Sequence, residues 1–278
     1  MTDHAGRLLL TFDDRHVDGW VDALPLLDAV DARATFFVVE ADLLDATEQA
    51  GIERLLADGH TVGSHGARHR NADDAISELG ADRYLDLEIR PSIEALAALG
   101  ASARHFACPN SRRDATSDGV LLEVFDRVRG GGPRTADAAL ARTAIIAPGD
   151  DTRRRVHPGR GCDTGRGAVP HPDDHSVLSA LLRDLADQGG SLTLYAHEIA
   201  EAGAGNHLHP DRLAQILHEA AGLGLDLIGW DELPVARDAA TIGHPPALRR
   251  PGGADRPGRP DRSDRANRTT RTTTSTNR

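Results

Sequence analysis

Short apolar runs alternate with helical patterns along most of the chain, and this alternation is what most constrains its fold. Candidate strands lie at 7–12, 34–39, 60–63, 104–108, 143–147, 191–196 and 225–228. Between them, apolar residues recur three or four apart: Val21, Leu24, Leu27 and Val30; Leu85, Ile89, Ile93 and Leu96; Val177, Leu181 and Leu185; Leu213, Ile216 and Leu217. Strands alternating with amphipathic helices favour a parallel sheet whose faces the helices bury. About seven such units can close into a barrel or stay open and doubly wound, and periodicity does not choose between them. The 278 residues suffice for one sizeable domain.

Two segments break the alternation. The stretch 148–172, rich in Gly, Arg, Pro and Asp, has no period and predicts a long loop at one end of the domain. The pattern also fades after Pro234, which bounds the expected folded domain at residues 1–237. Residues 238–278 are rich in Arg, Pro, Gly and Thr, and they hold too few large apolar side chains to offset the entropy lost on ordering. A disordered tail is expected there.

Charge narrows the function classes. Acidic residues outnumber basic ones 43 to 32, every basic one is arginine, and the formal net charge is −11. Such a surface repels nucleic-acid backbones and anionic membranes, so neither is an expected partner. No apolar run approaches the ~20 residues that span a bilayer. The first residues lack the basic and apolar regions of a secretory signal, so a cytoplasmic protein is expected. Cys108 and Cys162 are too few for a disulfide framework or a cysteine zinc cage and read as reduced structural thiols. Nothing in the sequence specifies an oligomeric state.

Unusual polar residues gather at the C-terminal ends of several candidate strands. Asp13 and Asp14 follow LLLTF, His65 and His69 follow HTVGS, Pro109 and Asn110 follow RHFAC, and His197 follows SLTLYA. In parallel α/β folds that edge is where sites are assembled, because loops from separate strands converge there. The spacing His65-x-x-x-His69 puts two imidazoles on one side of a helical turn, able to share a cation. With 14 histidines in the chain the spacing alone is weak. A carboxylate from another strand end, Asp13 or Asp14, would complete three ligands and leave a fourth position for water. The adjacent acids also read as a helix start, but two like charges against an apolar strand are most easily sustained when a cation neutralises one of them. Opposite such a cation, His197 has a pKa suited to protonating a leaving group.

Taken in order and with their separations, Thr11-Phe-Asp-Asp14, Gly63-Ser-His-Gly-Ala-Arg-His69, Phe106-Ala-Cys-Pro109 and Leu194-Tyr-Ala-His197 resemble the polysaccharide deacetylases of carbohydrate esterase family 4, the NodB-homology domains. The resemblance spans roughly residues 7–235, and the first two motifs are its most specific part. It implies an α/β fold, a distorted, incomplete (β/α)7-type barrel, and a metal-dependent hydrolase that removes N-acetyl groups from an N-acetylated sugar or glycan, acting on a non-peptide carbon–nitrogen bond. Asp14, His65 and His69 would then bind a divalent metal, commonly zinc. Asp13 would be the general base, His197 the general acid, and the backbone N–H of Asn110 an oxyanion donor. Two other readings are a same-fold hydrolase of another amide, of the allantoinase or cyclic-imide type, and a catalytically impaired carbohydrate-binding remnant.

The chain departs from the family pattern at four places. Arg15 stands where many members have Gly. Ala107 stands where many have the Arg that orients the catalytic Asp, and Arg104 or an arginine of the 148–167 loop is the expected substitute. Asn110 follows Pro109 where an aromatic is frequent. The family's fourth motif, built on Asp and Trp, has no clear counterpart.

Overall fold

The structure, a computed structural model, describes residues 6–234; the expected disordered tail, 238–278, lies outside the described residues. Seven parallel strands form a ring: β1 (Arg7–Asp14), β2 (Ala34–Val38), β3 (Thr61–Ser64), β4 (His105–Ala107), β5 (Arg127–Gly131), β6 (Val156–Gly161) and β7 (Ser191–Ala196). Each strand pairs with the next, and β7 returns to β1 from Arg7↔Ser191 to Phe12↔Ala196, which closes the barrel. The expected (β/α)7 barrel is therefore present. It is incomplete only in having seven strands where the full form has eight.

β1 shows why its apolar run is continuous. Leu8, Leu10 and Phe12 point outward into the core shared with Trp20, Leu24, Leu181 and Leu213, whereas Leu9 points into the barrel with Phe37, Ala107 and Trp230. Successive side chains of a strand face opposite ways, and here both faces are covered.

Two expected strands are placed differently. Within 143–147 only Ile145–Ile146 is a strand; it pairs antiparallel with β7, outside the ring. Within 225–228, Asp226–Leu227 pairs with Arg7–Leu8, along the part of β1 that lies before β2 begins opposite Leu10. The ring instead takes β5 (RVRGG) and β6 (VHPGRG), and β6 lies inside the segment 148–172 expected to be loop. Both strands escaped the apolar signal because they carry buried polar side chains, Arg127, Arg129, His157 and Arg160.

One end of the barrel is sealed. Trp230 is fully buried, its ring 5.4 Å from Phe37, 5.5 Å from His105 and 5.2 Å from His157. Beside it the buried Arg127 guanidinium donates to the carbonyls of Trp230, Leu233 and Pro234 at 3.3, 2.9 and 2.6 Å. Only the opposite end, where the strands finish, is left to hold a site. A small second sheet, Gly165–Arg166, Val169–Pro170, Glu198–Ile199 and Asn206–Leu208, stands at that end. Among the described residues no helix is long and apolar enough to cross a membrane.

Candidate active site

A cavity of about 430 Å³ opens at the C-terminal end of the barrel, lined among others by Asp13, Asp14, His65, His69, Asn110 and His197. All six residues singled out in the sequence thus meet in one place. Asp13 and Asp14 end β1, His65 follows β3, Asn110 lies in the turn Pro109–Ser111 after β4, and His197 follows β7.

The two histidines do not share a helical turn, as their spacing suggested. They belong to an irregular loop in which Gly66 and His69 have φ of 86° and 56°. The convergence is nonetheless close. His69 Nε2 lies 3.2 Å from His65 Nε2 and 3.3 Å from Asp14 Oδ1, and His65 Nε2 lies 3.5 Å from that same oxygen. Donors about 2.0–2.1 Å from a tetrahedral ion stand about 3.4 Å apart, so this set fits a small divalent cation. The tautomer fits as well: His65 Nδ1 is 2.8 Å from the Ala107 carbonyl, which can only accept, so Nδ1 carries the hydrogen and Nε2 keeps a lone pair. Among the described residues, Asp14, His65 and His69 are the one group of three or more such side chains close enough to share an ion.

Burial works to raise the Asp14 carboxyl. The imidazoles of His65, His69 and His197 beside it override that and hold it well below the usual carboxylate range. Asp14 also sits at φ 79°, in the left-handed region that non-glycine residues rarely occupy, as do His69, Asn110 and Ser111 around it. The aspartates do not start a helix. The next helix, Val17–Asp22, is preceded by His16 and has no side-chain cap.

Sequence reasoning missed two residues. The first is Arg129 on β5, which pairs with Asp13; both side chains are almost fully buried, 1% and 4% exposed. Its guanidinium lies 4.5 Å from the centre of the Tyr195 ring. Arg129 stands directly opposite Ala107 in the β4–β5 register, so the cation missing from position 107 comes from the neighbouring strand at the same height. Of the expected substitutes, Arg104 bonds Asp126 at 2.6 Å and Arg160 pairs with Asp174 at 2.7 Å, while Arg166 lines the cavity without pairing with Asp13. Asp13 is thus balanced by an arginine and Asp14 by histidines, which answers the repulsion the adjacent acids posed.

The second is Asp163, just after β6. Its carboxylate accepts from His197 Nδ1 at 2.8 Å and from the His197 backbone N–H at 3.1 Å, which fixes the ring with Nε2 free. Burial acts to lower the His197 pKa. The Asp163 hydrogen bond and the charges of Asp13, Asp163 and Asp14 outweigh it and raise the imidazolium above its ordinary value. Asp163 lay in the segment read as loop, where one more Asp among many carried no signal.

Arg15 turns to the helix Ala46–Ala57. It bonds Glu48 at 2.7 and 2.5 Å and the Leu43 carbonyl at 2.6 Å, and Glu48 also closes the capping box with Asp45. It therefore braces the loop after β1. Asn110 bonds Asn71 through its side chain at 2.9 Å. Cys108 and Cys162 are buried free thiols, as expected, both pushed up to about 12 by burial. A second cavity of about 570 Å³ continues past Tyr195, His197 and Asn206 towards Arg134 and His171.

Residues 1–124 match a family model described as polysaccharide deacetylase. Over that stretch the chain is similar to the polysaccharide deacetylases. Asp13, Asp14, His65, His69 and Asn110 fall within the matched residues, while Arg129, Asp163 and His197 follow them. Solved structures extend the likeness in fold. The chitin deacetylase from the fungal pathogen Colletotrichum lindemuthianum is 19% identical over 84% of this chain and 88% of that chain, with a TM-score of 0.52. A mutant of BA3943, a CE4 family pseudoenzyme with restored enzymatic activity, is 14% identical over 82% of this chain and 67% of that chain, with a TM-score of 0.50. No curated protein matches the sequence.

Proposed function

We propose that the protein is a metal-dependent deacetylase that hydrolyses the acetamide of an N-acetylated sugar or glycan. The observation that carries this reading is the convergence of Asp14, His65 and His69 on one point beside Asp13 and His197 in a single cavity. A divalent cation, zinc by the two imidazoles and the carboxylate that would hold it, would polarise the acetamide carbonyl and acidify a water.

The chain's own residues divide the remaining work. Asp13, held by Arg129, takes the proton of the attacking water. The Asn110 backbone N–H donates to the oxyanion that forms at the carbonyl, a type of contact worth about 2.7–4 kcal/mol per donor. His197, its Nδ1 committed to Asp163, gives a proton from Nε2 to the departing amine, and acetate leaves. Arg129 pairs with Asp13 and Asp163 with His197, and this partnering of both groups favours catalysis over a binding remnant.

The test is acetate release from N-acetylglucosamine oligomers by protein stripped of metal and reloaded with zinc, with a cyclic ureide and a cyclic imide assayed alongside. Zinc-dependent acetate release, abolished in His65→Ala and Asp13→Asn, is expected. Full activity of the metal-free protein overturns the metal-dependent reading, and turnover of the ureide or imide alone moves the site to that substrate class. A cytoplasmic site of action, expected from the sequence, is tested by fractionating cells that express the native gene.

A further inference from the structure

We infer that Glu88 is the positioning residue that shapes the His65–His69 loop into a cation site, an inference that rests on the metal-binding reading above. Glu88 is fully buried, and among the described residues it forms no ion pair. Its Oε1 accepts two backbone N–H groups, Arg68 and Arg70, each at 2.9 Å, one on either side of His69. Its backbone carbonyl accepts the Ala67 N–H, also at 2.9 Å. One residue thus takes three of the loop's amides, while Oε2 has no partner. A buried carboxylate so placed is costly unless the hydrogen bonds it accepts are needed.

The helix that carries it is built to deliver it. Residues 81–98 run as one helical stretch, but Leu85–Ile89 is a widened π turn in which the Arg90 N–H reaches back to Leu85 O. Pro91 follows directly and has no N–H to give to the carbonyl four residues earlier, so the regular ladder cannot pass through this point. Widened turns of this kind concentrate at functional sites because they re-aim a side chain. Here the turn carries Glu88 beneath the loop. On the loop's side, a Cβ on Gly66 would lie 2.5 Å from Glu88 Oε1, and Gly66 sits at φ 86°. Glycine is what leaves the carboxylate room to reach the amides. Glu88 touches no cation itself; it holds His69 in its left-handed conformation, φ 56°, with Nε2 facing Asp14.

Glu88→Asp withdraws the carboxylate by one methylene, out of reach of both amides, whereas Glu88→Gln keeps an oxygen where Oε1 stands. Zinc affinity, measured by competition with a chromophoric chelator, is expected to fall about 10–100-fold in Glu88→Asp and to stay near the wild-type value in Glu88→Gln. Unfolding midpoints of the metal-free proteins are measured in parallel. A purely structural role would lower the midpoint of Glu88→Asp and leave zinc affinity untouched, and that result overturns the inference. Equal losses of affinity in the two variants overturn it too. His65→Ala separates the two levels: a wild-type chain that binds no zinc fails the proposed function itself. Zinc bound by wild type, lost in His65→Ala and unchanged in Glu88→Asp fails only the role of Glu88.

Discussion

At the scale of single residues, the site rests on two buried pairs, Arg129 with Asp13 and Asp163 with His197. Arg129→Met would leave Asp13 uncompensated in the barrel, and breaking such a pair typically costs about 3–5 kcal/mol. A loss of that size is expected in urea unfolding, together with loss of acetate release. The His197 pair acts on pH. Because His197 is raised, its proton is held past the ordinary histidine range, and activity that needs the protonated ring falls only as pH rises through that higher value. Asp163→Asn removes the charge that holds the proton, so the alkaline limb of the kcat/KM profile should move to lower pH. Asp13, Asp14, His65, His69 and His197 were legible as polar residues at strand ends. Arg129 and Asp163 were not, because each is meaningful only through a partner 116 or 34 residues away.

At the scale of elements, strands that read as greasy runs were found and strands that read as polar were not. β1 and β2 have apolar residues on both faces and β7 carries Leu192, Leu194 and Ala196 on its outer face, whereas β5 and β6 turn Arg127, Arg129 and His157 inward among buried neighbours. Period and hydropathy register the first kind and overlook the second. Trp230 shows what those inward residues pack against. Trp230→Ala would empty the sealed end between Phe37, His105 and His157, and a loss of about 3–5 kcal/mol is expected from chemical unfolding with the fold retained. The 65–69 loop carries the same lesson: its spacing suggested a helical turn, but Glu88, from a helix about twenty residues later, holds it in another shape.

At the scale of the whole molecule, stability should follow two ligands, the cation and the proton. Zinc bound only by the folded chain adds about 2.7 kcal/mol at a hundredfold excess over Kd, read as a rise in unfolding midpoint that His65→Ala abolishes. Protons act through His60 and His157, both lowered to about 4 by burial. Between that value and the ordinary 6.5 the unfolded chain binds more protons than the folded one, so stability is full above pH 6.5 and declines as pH falls towards 4. Each histidine contributes roughly 3 kcal/mol across that window, and His157→Gln should flatten the pH dependence of the unfolding midpoint. The sequence by itself determined the α/β alternation, the motif residues and the family they resemble, because these depend on local period and short spacing. Only the tertiary structure decided which strands close the ring, where the cation opposite Asp13 comes from and what orients His197. Those depend on register between distant strands, which a linear pattern of polar and apolar residues does not encode.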